Sequence, residues 1–460
     1  MQDNLVIDIL ETKKRLRATV ADSGLELLAS ALGENAKLYL VGGIVRDTLL
    51  GKISADIDVA TNIGATECFS RLSNNGIKVF APGLKHDTVT AIPIDGKPAI
   101  EITSFRNGAK NIEGDLDARD FTVNAIAYDI QRDELIDPLN GKTDLEKGII
   151  RTCGDAYIRF TEDPLRVLRM VRFSSCLNFT IDNNTHATAK DFLAKNNILT
   201  VSIERIRDEF SKILTSARPV EGIRMLAELG ILKTILPEVN AFIGYEQNDY
   251  HKYDLYNHTL EVIRNTLKFS SSSEEQQSIL ILRLAALLHD VGKPASLSVD
   301  NTGRRHFYCH EVNGISIAKN ILKRFKYPNE VRQAVSVLIR THMRPINGGD
   351  GSLRRIIRDT GDYYKEWRQL KEADSLGCKL EEGDTMKTLA DFDARIALIR
   401  QEQLASQFRL ALNGKDIIAL GFKEGPQVGK IIQKLTDLVL DNPQLNTKEE
   451  LIRIIEKKMY

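Results

Sequence analysis

The chain has 460 residues, of which 63 are basic and 63 acidic, so its formal net charge is zero with neutral histidines. The protein therefore has no net positive charge that would attract nucleic acid, and any RNA contact must come from local basic patches. The length is enough for roughly two to four domains.

The cysteines are widely separated and form no Cys-x-x-Cys pair, which predicts reduced thiols and excludes a disulfide framework or a zinc ribbon. They are Cys68, Cys153, Cys176, Cys309 and Cys378. The N-terminus has no basic region before an apolar run, and no apolar stretch approaches membrane-spanning length. We expect a soluble, cytoplasmic protein without membrane contact.

The first ordered elements are predicted to be one or two amphipathic helices over residues 4–34, where apolar residues recur at helical spacing. A short apolar strand, Leu38–Val41, follows. A Gly42-Gly43 turn then leads into a helix that carries Arg46, and a second strand carries two aspartates.

The two aspartates, Asp56 and Asp58, are two residues apart, so they project from one strand face while Ile57 points into the core. Paired carboxylates suit Mg²⁺, which prefers oxygen ligands and substrate phosphates. Glycines before a helix N-terminus let the backbone approach a phosphate. A diglycine alone is usually a turn, and an aspartate pair alone is usually a solvated strand end. Together they predict a triphosphate cradle beside a metal anchor.

This stretch resembles motif A of the class II tRNA nucleotidyltransferases and bacterial poly(A) polymerases, which belong to the polymerase-β-like superfamily. The resemblance implies an α+β fold, with a nucleotidyltransferase head of mixed β-sheet and helices, followed by a helical neck, an HD body and a tail. It also implies Mg²⁺-dependent nucleotidyl transfer at Asp56 and Asp58, with Gly43 and Arg46 holding the triphosphate.

The rest of the head is predicted to contain a helix over 64–75 and strands at Lys78–Phe80, Asp87–Ile94 and Ala99–Thr103. Glu101 is flanked by apolar residues and faces away from them. It is a candidate third carboxylate at the metal site or a solvent-facing strand residue.

The stretch Arg119–Ala125 is predicted to begin a helix. It resembles the family's motif B, which implies that Arg119 contacts the nucleotide while the aspartate and asparagine organise the sugar and the head. Asp137–Gly141 is a turn by its Pro, Asn and Gly content and resembles motif C, with a structural role.

A further helix is predicted after Asp163 as N-cap, with Pro164 in the first helical position. Arg166, Arg169 and Arg172 recur every three residues and form one stripe on that helix. Taken alone, this pattern is more often a capped helix with a solvated basic face than a binding site.

The same stretch resembles motif D, Glu-Asp-x-x-Arg, which implies that Asp163 and Arg166 read the base of CTP or ATP without a nucleic-acid template. Their planar donors and acceptors can pair bidentately with a base edge. Arg169 and Arg172 would hold phosphates or orient that pair. Ser202–Glu209 resembles motif E, a helix interpreted here as scaffold.

A second group of polar residues lies in an otherwise helical region. Its members are His258, His289, Asp290, His310, His342 and Asp374. A single such histidine is more often a hydrogen-bonded core residue, but the group resembles the HD metal-dependent phosphohydrolases.

That resemblance implies a first metal site made of His258, His289, Asp290 and Asp374, with His310 and His342 completing a second position. Imidazole and carboxylate ligands suit a transition metal such as Mn²⁺, Ni²⁺ or Fe²⁺ better than Mg²⁺. Either the site hydrolyses phosphoesters, or the region serves only as the structural body of the protein.

The tail from Asn413 has glycine turns between short helices, with Lys415, Lys423 and Lys430 nearby. This composition suits contact with an RNA backbone. Alone it would be a solvated helical hairpin, and it resembles the tail of bacterial CCA-adding enzymes.

Together these features predict a head at 1–150, a neck at 151–245, an HD domain at 246–375 and a tail at 376–460. The predicted function is template-independent addition of the 3′-terminal CCA of tRNA from CTP and ATP. The alternatives are a poly(A) polymerase, although that branch commonly has a basic tail, and an HD phosphohydrolase with a regulatory nucleotide-binding head.

One departure from the family pattern bears on specificity. Only the twelve residues Asn107–Ala118 separate Arg106 from Arg119. The resemblance implies that enzymes building the full CCA end usually have a much longer, flexible interval here, whereas CC-adding members have a short one. We expect activity restricted to, or biased toward, CC addition, with full CCA addition as the alternative.

Overall fold

The computed structural model describes residues 7–54, 56–81, 83–84, 87–247, 253–269, 275–378, 382–406 and 409–458. The chain divides into two compact units, unit 1 (residues 1–231) and unit 2 (residues 232–460). The finer division into head, neck, HD region and tail stays a prediction.

Unit 1 begins with helices α1 (Ile9–Ser23) and α2 (Leu25–Leu32), as the periodicity predicts. The Asp8 side chain accepts the backbone N–H groups of Leu10 and Glu11, which would otherwise lack partners at the start of α1. Gly24 ends α1 with a φ of 83°, a left-handed conformation that glycine adopts without a Cβ penalty.

A seven-stranded sheet forms the centre of unit 1, in the order β3-β4-β5-β2-β1-β6-β7. Its strands are β1 (Leu38–Val41), β2 (Ile57–Thr61), β3 (Lys78–Phe80), β4 (Thr88–Ile92), β5 (Ile100–Ser104), β6 (Ala127–Asp129) and β7 (Glu134–Ile136). β2 pairs with β5 in parallel, and the remaining neighbours are antiparallel. The expected α+β fold with a mixed sheet is confirmed.

Four helices accompany this sheet: α3 (Gly43–Leu49), α4 (Ala65–Asn74), α5 (Ile112–Asp117) and α6 (Gly141–Lys147). The interval before Arg119 is folded, because α5 buries Ile112 and Leu116 in the same apolar cluster as Tyr39 of β1. Burial of this apolar surface holds the interval against the sheet.

The predicted helix start at Arg119–Ala125 is wrong. Phe121 has an extended backbone, and Thr122–Asn124 form a single 3₁₀ turn. The Asp120 carboxylate accepts the N–H of Phe121 and the side-chain amide of Asn124. Such local side-chain bonds give the backbone an alternative to the helical ladder.

The remainder of unit 1 is mainly helical. It contains α7 (Ala156–Glu162), α8 (Leu165–Leu177), α9 (Asn183–Lys195), α10 (Ile203–Thr215) and α11 (Pro219–Glu228). A two-residue parallel pair, β8 (Ile149–Ile150) with β9 (Thr180–Ile181), is the exception. The predicted start of α8 is one residue early, because Pro164 is its N-cap and Asp163 is the C-cap of α7. The Asp163 side chain still accepts the N–H of Leu165, the first residue of α8, at 3.2 Å.

Unit 2 is also built from helices, with one two-residue hairpin, β10 (Ser298–Val299) and β11 (Arg305–His306). The helices up to residue 406 are α12 (Ile231–Ile235), which begins at the last residue of unit 1, α13 (Pro237–Asn240), α14 (Leu255–Asn265), α15 (Gln276–Leu288), α16 (His310–Arg324), α17 (Asn329–Thr341), α18 (Asp350–Thr360), α19 (Tyr364–Leu376) and α20 (Glu382–Ser406). Trp367 is fully buried at their centre, and its indole N–H donates to the Thr341 carbonyl at 3.0 Å.

The last helices are α21 (Gly414–Ala419), α22 (Pro426–Asp441) and α23 (Lys448–Lys458). They enclose an apolar cluster that includes Ile417, Leu435 and Leu451. Among the described residues, no helix is both long enough and apolar enough to cross a bilayer.

Candidate functional site

A cavity of about 490 Å³ in unit 1 draws its lining from stretches that are far apart in the sequence. It contains all the residues that the sequence predicts for nucleotide and Mg²⁺ binding in the head and neck. These are Gly43, Arg46, Asp56, Asp58, Arg119, Asp163, Arg166, Arg169 and Arg172.

The lining also contains Gly42 of the predicted glycine turn and Asp120 and Asn124 of motif B. Four further lining residues had no predicted role in nucleotide binding: Arg106, Phe173, Arg205 and Lys212. The complete lining has more cationic than anionic side chains, and this excess attracts a polyanion such as a triphosphate.

The carboxylates lie at one side of this cavity. Asp58 is in β2 and Asp56 directly precedes that strand; the parallel register of β2 and β5 places Glu101 opposite Asp58. Burial raises the pKa of Asp58, and the charge of Glu101 raises it further. The cluster thus presents oxygen donors whose negative charges are incompletely compensated, which fits a Mg²⁺ ion.

The glycine turn borders the same carboxylates. Gly42 has a φ of 71°, and a Cβ there would meet an Asp58 carboxylate oxygen at 3.5 Å and an Arg119 guanidinium nitrogen at 3.4 Å. The turn needs glycine for its left-handed backbone conformation. It also keeps backbone atoms beside the carboxylates and directly before α3.

Arg46 is fixed by three neighbours. Its guanidinium donates to Asp47 at 2.8 and 3.0 Å and to the Asn124 side-chain oxygen at 2.7 Å. It also lies 5.3 Å from the centre of the Phe173 ring, within cation–π range. These contacts hold the guanidinium in place at the cavity wall.

Asp120 connects the turn after α5 to helix α8. Its carboxylate forms an ion pair with Arg169 at 2.6 Å in addition to its two local hydrogen bonds. Burial alone would raise the pKa of Asp120, but Arg169 and the hydrogen bond from Asn124 outweigh it and lower the pKa well below the usual range. Asp120 therefore stays ionised and positions Arg169.

We expect Asp120→Asn to destabilise unit 1 by about 1–3 kcal/mol near neutral pH, because it removes the charge that Arg169 faces. A lowered carboxyl pKa contributes stability above the unfolded pKa and loses it as pH falls through the folded value. Denaturant unfolding at several pH values should therefore show a difference that shrinks below about pH 4. The exposed Asp117→Asn is the matched control, and an equal loss there would contradict this role.

The α8 arginines form one stripe, as predicted, but this stripe is not a solvated basic face. Arg166 donates to Glu162 at 2.7 Å and to the Ala118 carbonyl at 3.2 Å. Arg172 donates to Glu209 at 2.5 Å and lies 3.8 Å from the Phe173 ring centre. These partners orient the stripe toward the cavity.

Helix α10 contributes to the site directly, so its interpretation as scaffold alone is incomplete. Arg205 forms an ion pair with Asp163 at 2.7 Å, Glu209 holds Arg172, and Lys212 lines the cavity. The spacing of these three residues, i, i+4 and i+7, places them on one helix face. That pattern is the signal in the sequence that could have identified them.

A second site lies in unit 2, where the structure brings together all six predicted HD residues. In the described part of the chain, two groups of three donors are close enough for each to share one ion. One group is His258, His289 and Asp374, and the other is Asp290, His310 and His342; the ligand atoms of each lie within 4.8 Å of one another.

Asp290 lies between the two groups. One of its carboxylate oxygens is 3.1 Å from Nε2 of His289, and the other is 3.1 Å from Nε2 of His310. The single carboxylate can therefore contribute an oxygen to each group, a bridging position that the sequence alone does not indicate.

The protonation of the imidazoles fits metal binding. Nδ1 of His289, His310 and His342 contacts a backbone carbonyl at 2.9, 2.8 and 2.6 Å, respectively. Carbonyls only accept hydrogen bonds, so these Nδ1 atoms carry a proton, and Nε2 is the nitrogen that faces the carboxylates and would ligate a metal.

Two Nε2 pairs face each other at 3.3 Å, His258 with His289 and His310 with His342. At that distance each pair needs a cation, either a proton or a metal ion, between the two nitrogens. Burial lowers the pKa of His342, which favours the neutral form that ligates metal. Burial would also lower the pKa of His289, but the charge of Asp290 outweighs it and raises that pKa, so without a metal a proton can occupy this position. Burial would raise the pKa of Asp290, but His289 and Lys293 outweigh it, so this carboxylate is ionised.

Three family models match the chain. They are the poly(A) polymerase head domain at residues 38–151, the probable RNA- and SrmB-binding site of polymerase A at 178–243, and the HD domain at 255–377.

Curated relatives cover most of the chain. An A-adding tRNA nucleotidyltransferase of Deinococcus radiodurans is 32% identical over 86% of this chain and 90% of its own length. A multifunctional CCA protein of Xanthomonas euvesicatoria is 30% identical over 86% and 96%. A CC-adding tRNA nucleotidyltransferase of Thermus thermophilus is 29% identical over 90% and 91%.

A solved structure, the Bacillus stearothermophilus CCA-adding enzyme in complex with CTP, aligns with a TM-score of 0.65 and 23% identity. The alignment covers 97% of this chain and 98% of that enzyme. At this identity the likeness establishes a shared fold.

Proposed function

The chain belongs to the family of tRNA nucleotidyltransferases and poly(A) polymerases, and from that premise we propose that it adds nucleotides to the 3′ end of tRNA from CTP or ATP without a template. The observation that carries this proposal is the unit 1 cavity. It combines two aspartates, a glycine turn before a helix and a cationic wall in one space.

The tRNA 3′-hydroxyl oxygen would attack the α-phosphorus of the nucleotide. The bond from that phosphorus to the α–β bridging oxygen breaks, pyrophosphate leaves, and the hydroxyl proton passes to solvent. Asp56 and Asp58 would hold Mg²⁺, which supplies charge neutralisation at the transferring phosphoryl group. Gly43, Arg46 and Arg119 would bind the triphosphate, while Arg169 and Arg172 complete the cationic wall.

Asp163 and Arg166 would read the base, with Arg205 as a positioning residue. Arg205 donates to both oxygens of Asp163, at 2.7 and 3.3 Å, and so fixes the carboxylate orientation. A freely rotating carboxylate could accept hydrogen bonds from several base edges, whereas a fixed one discriminates among them.

We therefore expect Arg205→Gln to lower the preference for CTP over UTP by about tenfold, measured as the ratio of kcat/KM values. Asp163→Ala should lower it at least as much. The matched control is Arg207→Gln on the same helix, since Arg207 pairs with Asp208 and is not part of the cavity lining. Equal selectivity in Arg205→Gln and wild type would show that Arg205 has no positioning role.

We infer the terminal specificity from the interval before Arg119. This interval is short, and α5 is packed through Ile112 and Leu116 rather than forming a free loop. Asp115 within it accepts the backbone N–H of Arg106 and pairs with Arg119 at 2.9 Å. A fixed interval of this kind supports a site that keeps one base preference, and we propose addition of CC.

A second candidate, addition of the terminal A, is favoured by the A-adding relative from Deinococcus radiodurans. Two transcripts separate the candidates: one that lacks CCA and one that ends in CC. CC addition predicts two cytidines on the first transcript and then a halt despite ATP. Extension of the second transcript alone would establish A addition, a complete CCA end would reject the single-preference argument, and a long A tail would indicate poly(A) polymerase activity.

We also propose that the two donor groups of unit 2 hold transition-metal ions, with His258, His289 and Asp374 in one position and His310 and His342 in the other. Asp290 would contribute to both. A metal there would activate water toward phosphoesters. The residues themselves supply imidazoles, three of them oriented by Nδ1–H bonds to backbone carbonyls, and a shared carboxylate.

A further inference from the structure

A basic groove of about 710 Å³ lies between helices α16 and α17 of unit 2. Four cations line it, Lys319 and Lys323 from α16 and Arg332 and Arg340 from α17. No carboxylate belongs to its lining among the described residues. The chain as a whole has equal numbers of acidic and basic residues, so this excess of positive charge is a property of the groove and not of the whole protein.

The four cations also lack acidic partners. None of them takes part in an ion pair among the described residues, whereas nearby arginines do: Arg324 pairs with Glu238 at 2.8 Å and Arg358 with Asp437 at 2.6 Å. Positive charge that the fold does not neutralise is available to an external anion.

Arg332 provides a second, independent observation. It is partly buried at the groove wall, and its Nε is a buried donor without a hydrogen-bond acceptor. A buried unpaired donor is unusual in a folded protein and indicates a missing acceptor. Uncharged polar groups, among them Asn320 and Gln333, complete the lining and can donate further hydrogen bonds.

The spacing of the charges identifies the class of ligand. Arg332 and Arg340 are eight residues apart on one helix, a rise of about 12 Å, and Lys319 and Lys323 are separated by about 6 Å. Charges spread along the groove in this way suit several phosphates better than one, so we take the ligand to be an extended polyanion. Lysines and arginines along one groove are typical contacts of a nucleic-acid backbone.

We propose that this groove binds the phosphate backbone of tRNA outside the catalytic cavity, an inference that rests on the function proposed above. The groove lies beyond the matched RNA-binding region of residues 178–243. It is also separate from the tail lysines. It contributes affinity for the RNA body without reading sequence, because all of its contacts are to phosphates.

The test uses the full chain, a tRNA transcript that lacks CCA, and a variant with Lys319→Gln, Lys323→Gln, Arg332→Gln and Arg340→Gln. We expect its affinity for the transcript to fall at least tenfold. The slope of log affinity against log salt should become shallower by about 3, since each lost phosphate contact removes about 0.7–0.9. Extension at saturating tRNA should keep its wild-type rate.

A charge-preserving variant, with the lysines changed to arginine and the arginines to lysine, should retain most of the affinity and the full slope. Because Arg332 is partly buried, a second variant carries only the exposed changes Lys319→Gln and Lys323→Gln. It should fold as wild type and show about half of the slope change.

Wild-type affinity and salt slope in both glutamine variants would refute tRNA binding in this groove. A loss of affinity in the charge-preserving variant equal to that in the glutamine variants would refute it as well. Wild-type extension of the transcript is measured in parallel. A wild-type chain that binds the transcript without extending it would refute the proposed function and leave the groove result standing on its own.

Discussion

Replacing Asp58 with asparagine should abolish nucleotide addition while leaving the protein folded. The amide keeps the shape of the carboxylate but removes the charge that would hold Mg²⁺ beside Asp56. A metal at this position contributes several kcal/mol to phosphoryl transfer, so we expect a loss of about a thousandfold or more in kcat. Incorporation of labelled CMP into a tRNA transcript measures it.

The same substitution should increase stability in metal-free buffer. The pKa of Asp58 is raised in the folded protein by burial and by Glu101, so folding disfavours the ionised form. Below the pKa of the unfolded state the carboxyl is neutral in both states and does not change the free energy of unfolding. The destabilisation develops as pH rises through the pKa of the folded state and is complete above it.

Thermal unfolding in EDTA should therefore show a higher midpoint for Asp58→Asn than for wild type at about pH 7, and no difference below about pH 3. The control is Asp22→Asn, an exposed carboxylate on α1, which should change neither activity nor stability. Full transferase activity in Asp58→Asn would contradict the assigned site.

Replacing His289 with alanine should remove the metal ion that we propose for unit 2. His289 is completely buried, and its Nε2 lies 3.3 Å from Nε2 of His258 and 3.1 Å from Asp290. Loss of even an outer-shell partner weakens metal binding by about 10–100-fold, so loss of this ligand should weaken it by about a hundredfold or more. Elemental analysis after gel filtration and a Mn²⁺-dependent rise in the unfolding midpoint measure the effect.

The matched control is His306→Ala. His306 pairs with Asp300 at 2.8 Å on the hairpin of unit 2 and belongs to neither donor group. It should keep the metal content of wild type. Both histidine variants should also retain nucleotide addition, since every residue of the catalytic cavity lies in unit 1. Wild-type metal content in His289→Ala would reject the site.

Local sequence patterns were sufficient to predict the placement of a side chain where that placement depends on residues nearby in the sequence. The two-residue period of a strand predicts that Asp56 and Asp58 share a face. The three-residue spacing of the α8 arginines predicts their stripe, and the strand–turn–helix order around Gly42 is as predicted. The HD residues, in contrast, lie up to about a hundred positions apart and could be grouped only through the family resemblance.

The ion-pair partners could not be predicted because they depend on tertiary packing. Asp120 meets Arg169 across 49 positions of chain, and Arg172 meets Glu209 across 37. The helix predicted to start at Arg119–Ala125 is absent for a local reason. The Asp120 side chain accepts hydrogen bonds from Phe121 and Asn124, which stabilises a single 3₁₀ turn instead of an α-helix. The bridging position of Asp290 likewise depends on tertiary packing, since α15 and α16 both pack against α17.

The central claim is that this chain transfers a nucleoside monophosphate from a nucleoside triphosphate to the 3′ end of tRNA. The most direct measurement follows CTP labelled at the α-phosphate or at the γ-phosphate, with a tRNA transcript that lacks CCA. We expect the α-label to enter the tRNA and the γ-label to be released as pyrophosphate, and we expect neither result with the Asp58→Asn variant. A wild-type enzyme that releases the label without extending the tRNA, or an Asp58→Asn variant that extends it normally, would show that this site does not carry out nucleotidyl transfer to tRNA.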